Sequence, residues 1–379
     1  MKSFQLISQF PQTVFYGAGT AEKVEEILGD PRGKKVLIVT DSFLVKSSMI
    51  ETFSNSLTDK PAIYGEITGE PTSEEVEKAV RFCREGRFDL VIGIGGGSVL
   101  DTAKVVAALG RDQIKVSQVY GAGKLKKREI GLALIPTTAG TGSEATPNSL
   151  IFDSVTGNKE AIIGRELIPD WVVLDPVLTT GLPPKVTAAT GLDALCHCIE
   201  SYYSVNSNPV SEAYSYEGLK LLGANLGRAV EEPDNLEVRG DMLLGSFFGG
   251  LGLTIAGTTA VHALSYPLGK RRVAHGVANG MLLPKVLEYY FPHIEGKLNQ
   301  VFRLFATHEK AVHNSRELLD MIAGYVSQFP IPKTLAEVNI SADEIPQLAK
   351  EAVRNERLIR NNPGPVTIDD AEKIYRMII

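Results

Sequence analysis

Asp193 and His197 stand four residues apart in GLDALCHCIESY, a spacing that puts two side chains on one face of a helix. Two more histidines, His262 and His275, close the ends of the stretch HALSYPLGKRRVAH. One carboxylate and three imidazoles make a donor set suited to a divalent first-row metal. Beside a substrate oxygen such a metal acts as a Lewis acid, polarising a carbonyl or lowering the pKa of an alcohol. Any one of these histidines alone reads better as a capping or hydrogen-bonded core group. The chain has only six, however, and these three lie in apolar, glycine-flanked motifs of its second half. His293, His308 and His313 lie in polar or charged contexts and are expected on the surface. Cys196 and Cys198 flank His197, but neighbours on a helix diverge by about 100°, so both are expected as buried apolar cysteines.

A second chemistry is written in GIGGGSVLDTAK (93–104), a glycine loop between a strand and a helix. Glycines let backbone approach a phosphate, and the helix N-terminus supplies N–H groups and a favourable dipole. The loop is neither a Walker A sequence nor a strict GxGxxG, and tight packing would also explain it. IPTTAGTGSEATP (135–147) is a second loop, with glycines and hydroxyls suited to pyrophosphate. Asp41 ends VLIVTD, where a carboxylate accepts from ribose hydroxyls and repels a 2′-phosphate. That role favours NAD over NADP; the alternative is a cap for the following helix.

These residues need a scaffold, and the first half supplies alternating strands and helices. KKVLIVTD (34–41), DLVIGIGGG (89–97) and GLALIPTT (131–138) read as strands. SEEVEKAVRFCREG (73–86), with Ser73 as N-cap and Gly86 as stop, and SVLDTAKVVAALG (98–110) read as helices. The alternation predicts a mainly parallel sheet covered by helices on both faces. Beyond WVVLDPVLTTGLPP (171–184) helical periodicity takes over, in KVTAATGLDALCHCIESYYS, SEAYSYEGLKLLGANLGRAVE, VRGDMLLGSFFGGLGL and IDDAEKIYRMI. The expected organisation is an α/β dinucleotide-binding domain over 1–180 and an all-helical metal and catalytic domain over 181–379. No internal repeat is evident.

Composition narrows the partners. A chain of 379 residues, 44% hydrophobic and 22% charged, is an ordinary globular protein. A formal net charge of -6 gives no reason to expect nucleic acid or an anionic membrane. Three cysteines, an odd and sparse count, point to a reducing cytoplasm rather than a disulfide framework. No signal-peptide run or membrane span is expected.

Taken together, FYGAGTAEKV, VTDSFL, GEPTSEEV, GIGGGSVLDTAK, IPTTAGTGSEAT, VVLDPVLT, TGLDALCHCIESY, VHALSYPLG, HGVANGMLLP and NNPGPVTIDDAEKIY resemble the iron-containing (group III) alcohol dehydrogenases. That family has the dehydroquinate synthase-like fold. The resemblance implies metal ligands at Asp193, His197, His262 and His275, with Fe²⁺ favoured and Zn²⁺ next. It implies nucleotide contacts at Asp41, Gly95, Gly96, Gly97, Ser98, Asp101, Thr137 and Thr138. Lys159 falls where the family often has a lysine close to the cofactor; a solvated hairpin lysine is the alternative. A cleft between the two domains and a homodimer or larger assembly are also implied.

The departures from the family pattern are specific. Tyr266 stands where many members carry a second histidine, four residues after His262. The interval from His262 to His275 is one residue shorter than is common. KRR (270–272) replaces a more neutral or aromatic segment, and Glu70 replaces an asparagine.

The expected function is a metal-dependent alcohol dehydrogenase or aldehyde reductase passing hydride between a nicotinamide and a small alcohol or aldehyde. His262 and His275 act there as ligands. Tyr266 either closes the pocket or relays a proton, or simply packs. Arg271 and Arg272 either face an anionic group on the substrate or form a solvated basic turn. The alternatives are a glycerol or polyol dehydrogenase, a hydroxyacid–oxoacid transhydrogenase, a dehydroquinate-synthase-like lyase and a non-catalytic nucleotide sensor.

Overall fold

The computed structural model of the chain describes residues 9–29, 32–301 and 314–379; His308 and His313 lie outside the described residues. The chain divides into two compact units, one ending at Gly181 and the other beginning at Leu182.

The first unit runs β1 (Thr13–Tyr16), α1 (Val24–Ile27), β2 (Val36–Asp41), α2 (Ser48–Asn55), β3 (Ala62–Ile67), α3 (Ser73–Gly86), β4 (Leu90–Gly95) and α4 (Gly97–Leu109). It continues with β5 (Gly121–Ala122), β6 (Gly131–Pro136), β7 (Asn148–Phe152), β8 (Lys159–Ile163) and β9 (Trp171–Leu174). Six strands form one sheet in the order β1-β9-β6-β4-β2-β3, every pair parallel. A smaller sheet, β5-β8-β7, contains the antiparallel hairpin β7–β8.

The strands β2 and β4 are nearly unbroken apolar runs because both sheet faces are covered. Successive side chains alternate between the faces. Leu37, Val39 and Val91 join Val76, Val80 and Val105 of α3 and α4 in one cluster. Val36, Ile38 and Ile92 join Val24, Ile50 and Phe53 of α1 and α2 in the other. The α3 boundary differs from expectation. Thr72, not Ser73, is the N-cap, because its hydroxyl accepts from the Glu75 N–H while Glu75 accepts from the Thr72 N–H at 2.9 Å. At the other end Gly86 stays helical and Arg87 takes the left-handed conformation, its N–H bonded to the Cys83 and Arg84 carbonyls.

The second unit is built of α5 (Pro184–Tyr203), α6 (Pro209–Glu231), α7 (Leu236–Ala256), α8 (Ala260–Gly269) and α9 (His275–Val301). It ends with α10 (Ser315–Ser327), α11 (Ile345–Ala352), α12 (Glu356–Ile359) and α13 (Ile368–Arg376). Among the described residues this unit contains no strand. The helix α5 is buried without interruption from Gly191 to Tyr203, packed by α6, α7 and α9. A helix surrounded in this way presents its polar residues to other protein groups rather than to water. Among the described residues, no single helix is long and apolar enough to cross a membrane.

Beside α4 lies a buried charge cluster. The Lys104 ammonium donates to the Thr146 carbonyl at 3.0 Å, the Thr146 hydroxyl at 3.1 Å and the Asn148 carbonyl at 2.8 Å. Burial brings Lys104 down to about 8 and pushes the Glu144 carboxyl up to about 7 from its ordinary 4.5. A carboxyl that holds its proton more tightly when folded stabilises the fold fully below its unfolded pKa, and this contribution is lost as pH rises through the folded value. Glu144→Gln is therefore expected to flatten the fall in thermal midpoint between pH ~5 and ~8. An unchanged slope in melting curves across that window would assign the titration to another group.

Candidate active site

The helix α5 presents Asp193 and His197 one turn apart, both buried. From α8 comes buried His262, and α9 begins at His275. The Nε2 atoms of His197, His262 and His275 lie 3.9, 3.7 and 3.6 Å from a single oxygen, Asp193 Oδ1. Donors placed about 2.1 Å from a tetrahedral centre stand about 3.4 Å from one another, so this spacing accommodates one cation. Asp193, His197 and His262 offer ligand atoms that all lie within 4.8 Å of one another, and His275 is joined to them through Asp193. The His197 and His262 rings stack at 4.7 Å, and His275 meets His262 edge-on at 5.3 Å. Burial alone would raise the Asp193 carboxyl. The imidazoles of His197, His275 and His262 gathered around it, with a hydrogen bond from Asn279, instead hold it at about 2.

Behind His262 stands Glu200, fully buried on α5. One carboxylate oxygen meets His262 Nδ1 in a short hydrogen bond. The other accepts from the Thr259 N–H at 3.0 Å, the Thr259 hydroxyl at 2.6 Å and the Val261 N–H at 2.8 Å. Thr259 is the N-cap of α8, and its own side chain makes no capping bond. The carboxylate from α5 therefore supplies the cap and sits at the positive end of the α8 dipole. By accepting from Nδ1 it also selects the imidazole tautomer whose Nε2 lone pair faces Asp193.

His275 is placed by contact between backbones. A side chain at Gly276 would stand 2.2 Å from the Ala189 carbonyl oxygen, so only glycine lets α9 rest on α5 here. One turn further, Asn279 is fully buried, and its amide nitrogen lies 2.6 Å from Asp193 Oδ1 and 3.2 Å from both His262 Nε2 and His275 Nε2.

Tyr266, half-buried one turn beyond His262, brings its ring to 5.8 Å from that of His275. Arg271, read as either substrate-facing or part of a solvated turn, is instead engaged by two carboxylates. It donates to Glu344 at 2.9 Å, to Glu351 at 3.1 Å and to the Pro267 carbonyl at 2.9 Å. Two carboxylates already answer its charge, so it clasps the end of α8 to α11. Arg272 is an exposed turn residue in the left-handed conformation, its N–H bonded to the Gly269 carbonyl at 2.9 Å. His293 is exposed, and Cys196 and Cys198 are buried free thiols raised by that burial.

In the first unit, α4 starts at Gly97 with Gly96 as its N-cap and no side-chain cap. A side chain at Gly97 would strike the Thr141 methyl at 2.4 Å, so the second loop lies directly on the first. The Thr137 N–H donates to the Gly95 carbonyl at 3.0 Å, tying the two loops side by side; Ser98 and Thr138 are half-buried. Asp101 turns inward: one oxygen accepts from the Ser143 hydroxyl at 2.6 Å and the other from the Leu150 N–H at 2.8 Å. Asp41 Oδ1 accepts from the Phe43 N–H at 2.9 Å and the Leu44 N–H at 2.7 Å, closing the turn after β2, while the N-cap of α2 is Ser47. Lys159 is not a solvated hairpin lysine. Its ammonium pairs with Glu70 at 2.8 Å and lies 5.5 Å from the Phe152 ring centre.

Residues 11–176 match the iron-containing alcohol dehydrogenases, and residues 187–379 match the C-terminal part of the Fe-containing alcohol dehydrogenase family. The chain belongs to the iron-containing alcohol dehydrogenase family. It is an alcohol oxidoreductase of that family. Long-chain-alcohol dehydrogenase 1 of Geobacillus thermodenitrificans is 35% identical over 376 residues, covering 97% of this chain and 95% of that one. The crystal structure of a 1,3-propanediol oxidoreductase has a TM-score of 0.92 at 27% identity, covering 98% of each chain. Sulfoacetaldehyde reductase from Bifidobacterium kashiwanohense, solved in complex with NAD+, has a TM-score of 0.89 at 26% identity, covering 99% of each.

Two residues of this dehydrogenase's site escaped the sequence reading, Glu200 and Asn279. Both were within reach of the spacing argument that paired Asp193 with His197. Glu200 follows His197 by three residues and Asn279 follows His275 by four, each on the same helix face. Glu200→Ala is expected to cost about 3–5 kcal/mol, since it uncaps α8 and strands buried N–H groups. Glu200→Gln, which keeps an acceptor oxygen, is expected to cost less. Denaturant unfolding of both variants checks the order, and equal losses would mean that the charge has no part in holding α8.

Proposed function

We propose that the chain is a nicotinamide-dependent alcohol dehydrogenase and aldehyde reductase whose metal is held by Asp193, His197, His262 and His275. The observation that carries this reading is the convergence of three imidazole Nε2 atoms on one carboxylate oxygen, with Asp193, His197 and His262 buried in the helical unit. Iron is favoured by family membership, with zinc next, because nitrogen and oxygen donors of this kind suit either ion. When bound, the cation would supply Lewis acidity at the substrate oxygen and the nicotinamide would exchange hydride with the carbinol carbon.

The protein's own residues do the rest. Glu200 holds the His262 ring, Gly276 seats His275, and Tyr266 closes the side next to His275. The uncapped start of α4 and the hydroxyl-rich second loop favour a pyrophosphate at Gly95, Gly96, Gly97, Ser98, Thr137 and Thr138. Asp41 favours NAD over NADP through repulsion of a 2′-phosphate, its Oδ1 held by the turn that follows. Asp101 and Lys159 are read as bracing this loop region through Ser143 and Glu70. The substrate is a small alcohol or aldehyde; with Arg271 engaged by two glutamates, no charge on it is required. The buried free thiols fit a reducing cytoplasm, and family membership favours a homodimer or larger assembly, which sedimentation would check.

Elemental analysis of the purified protein, joined to an NADH-oxidation screen over aldehydes and oxoacids, tests the reading. The expected result is one divalent ion per chain, lost in His197→Ala, and sustained NADH oxidation with aldehydes at rates above those with NADPH. Metal content indifferent to His197, or no sustained nicotinamide turnover, would sink it. For Tyr266, replacement by Phe is expected to lower turnover by about 10²-fold and to displace the pH profile. Turnover and profile both unchanged would reduce the phenol to packing.

A further inference from the structure

The Asn279 amide makes an unusual set of contacts for a buried side chain. Its nitrogen faces Asp193 Oδ1 at 2.6 Å, His262 Nε2 at 3.2 Å and His275 Nε2 at 3.2 Å. Its oxygen, equally buried, has no hydrogen-bond partner. An orphaned buried carbonyl oxygen is costly, and turning the amide over would exchange it with the nitrogen at no steric expense. The orientation is explained by what lies inward. Glu200 occupies His262 Nδ1, so the His262 Nε2 lone pair points to the centre, as does the ligand oxygen of Asp193. These are acceptors gathered around one point, and Asn279 is the donor that answers them.

The same lone pairs are the ones a cation uses. A positive ion attracts them and repels the positive end of an N–H dipole, so amide and cation cannot both hold them. We propose that Asn279 is an internal competitor for the metal. Its amide keeps the ligand atoms assembled and paired, and it must give up those hydrogen bonds for the cation to be held. The side chain thereby weakens metal binding while stabilising the protein against loss of the metal. This inference rests on the metal reading of Asp193, His197, His262 and His275.

Zinc ion alone is a suitable probe, with affinity read by competition against a chromophoric chelator and stability read by thermal unfolding with and without excess chelator. Asn279→Ala is expected to bind Zn²⁺ about tenfold more tightly than wild type, reflecting the loss of competing hydrogen bonds. Its thermal midpoint is expected to fall in chelator-treated protein and to hold in zinc-loaded protein. Asn279→Asp keeps the volume but sets a carboxylate against Asp193, and is expected to shift both readings further in the same directions. An equal fall in midpoint with and without zinc would make Asn279 a packing residue, and weaker zinc binding in both variants would make it a supporter of the metal; either overturns the proposal. Should wild type and His197→Ala bind Zn²⁺ alike, the metal reading itself fails, a result separate from these.

Discussion

One buried carboxylate organises the helical unit. Glu200 is enclosed on every side, and a charge in that position persists only if its lone pairs are answered. They are answered by the start of α8 and by the His262 ring. Removing the charge from water is unfavourable, and the helix N-terminus and imidazole offset that cost while fixing two things together, where α8 begins and which way His262 faces. The elements that bear the other candidate ligands refer to the same helix. Asp193 and His197 precede Glu200 on α5, and α9 lies on α5 through Gly276.

This arrangement explains why so little of the site depends on long, flexible side chains. Asp193 and His197 are set by a single helix repeat, His262 by a capped helix start and His275 by the first residue of α9. The longer cations, Lys104, Lys159 and Arg271, are engaged elsewhere, in carbonyl, glutamate and clasp contacts. The groups in contact with the candidate ligands thus include the imidazoles themselves and two carboxylates, Asp193 among them and Glu200 behind His262.

Much of this was legible in the residues. The alternation of apolar strands with amphipathic helices carries the parallel sheet, since unbroken runs such as VLIVTD and LVIGIG need cover on both faces. The convergence of Asp193, His197, His262 and His275 was legible as a donor set, and its geometry follows from helix periodicity plus two helix starts. What was not legible depends on partners remote in sequence. Arg271 reads as available until Glu344 and Glu351, more than seventy residues away, are brought to it. Lys159 reads as a match to the family and Glu70 as a departure from it, and the two form one ion pair. Thr72 displaced Ser73 as a cap because the reciprocal bond with Glu75 requires a spacing of three, which only Thr72 has.

The contact at Gly276 has a consequence for how this protein can change over time. Because α9 touches the α5 backbone itself, the interval between His275 and Asp193 is gauged by main chain against main chain. Side chains elsewhere in the unit can be exchanged for others of similar bulk without resetting that interval, in the way a ruler is unaffected by repainting. Drift in the surrounding core is therefore uncoupled from the interval between these two candidate ligands.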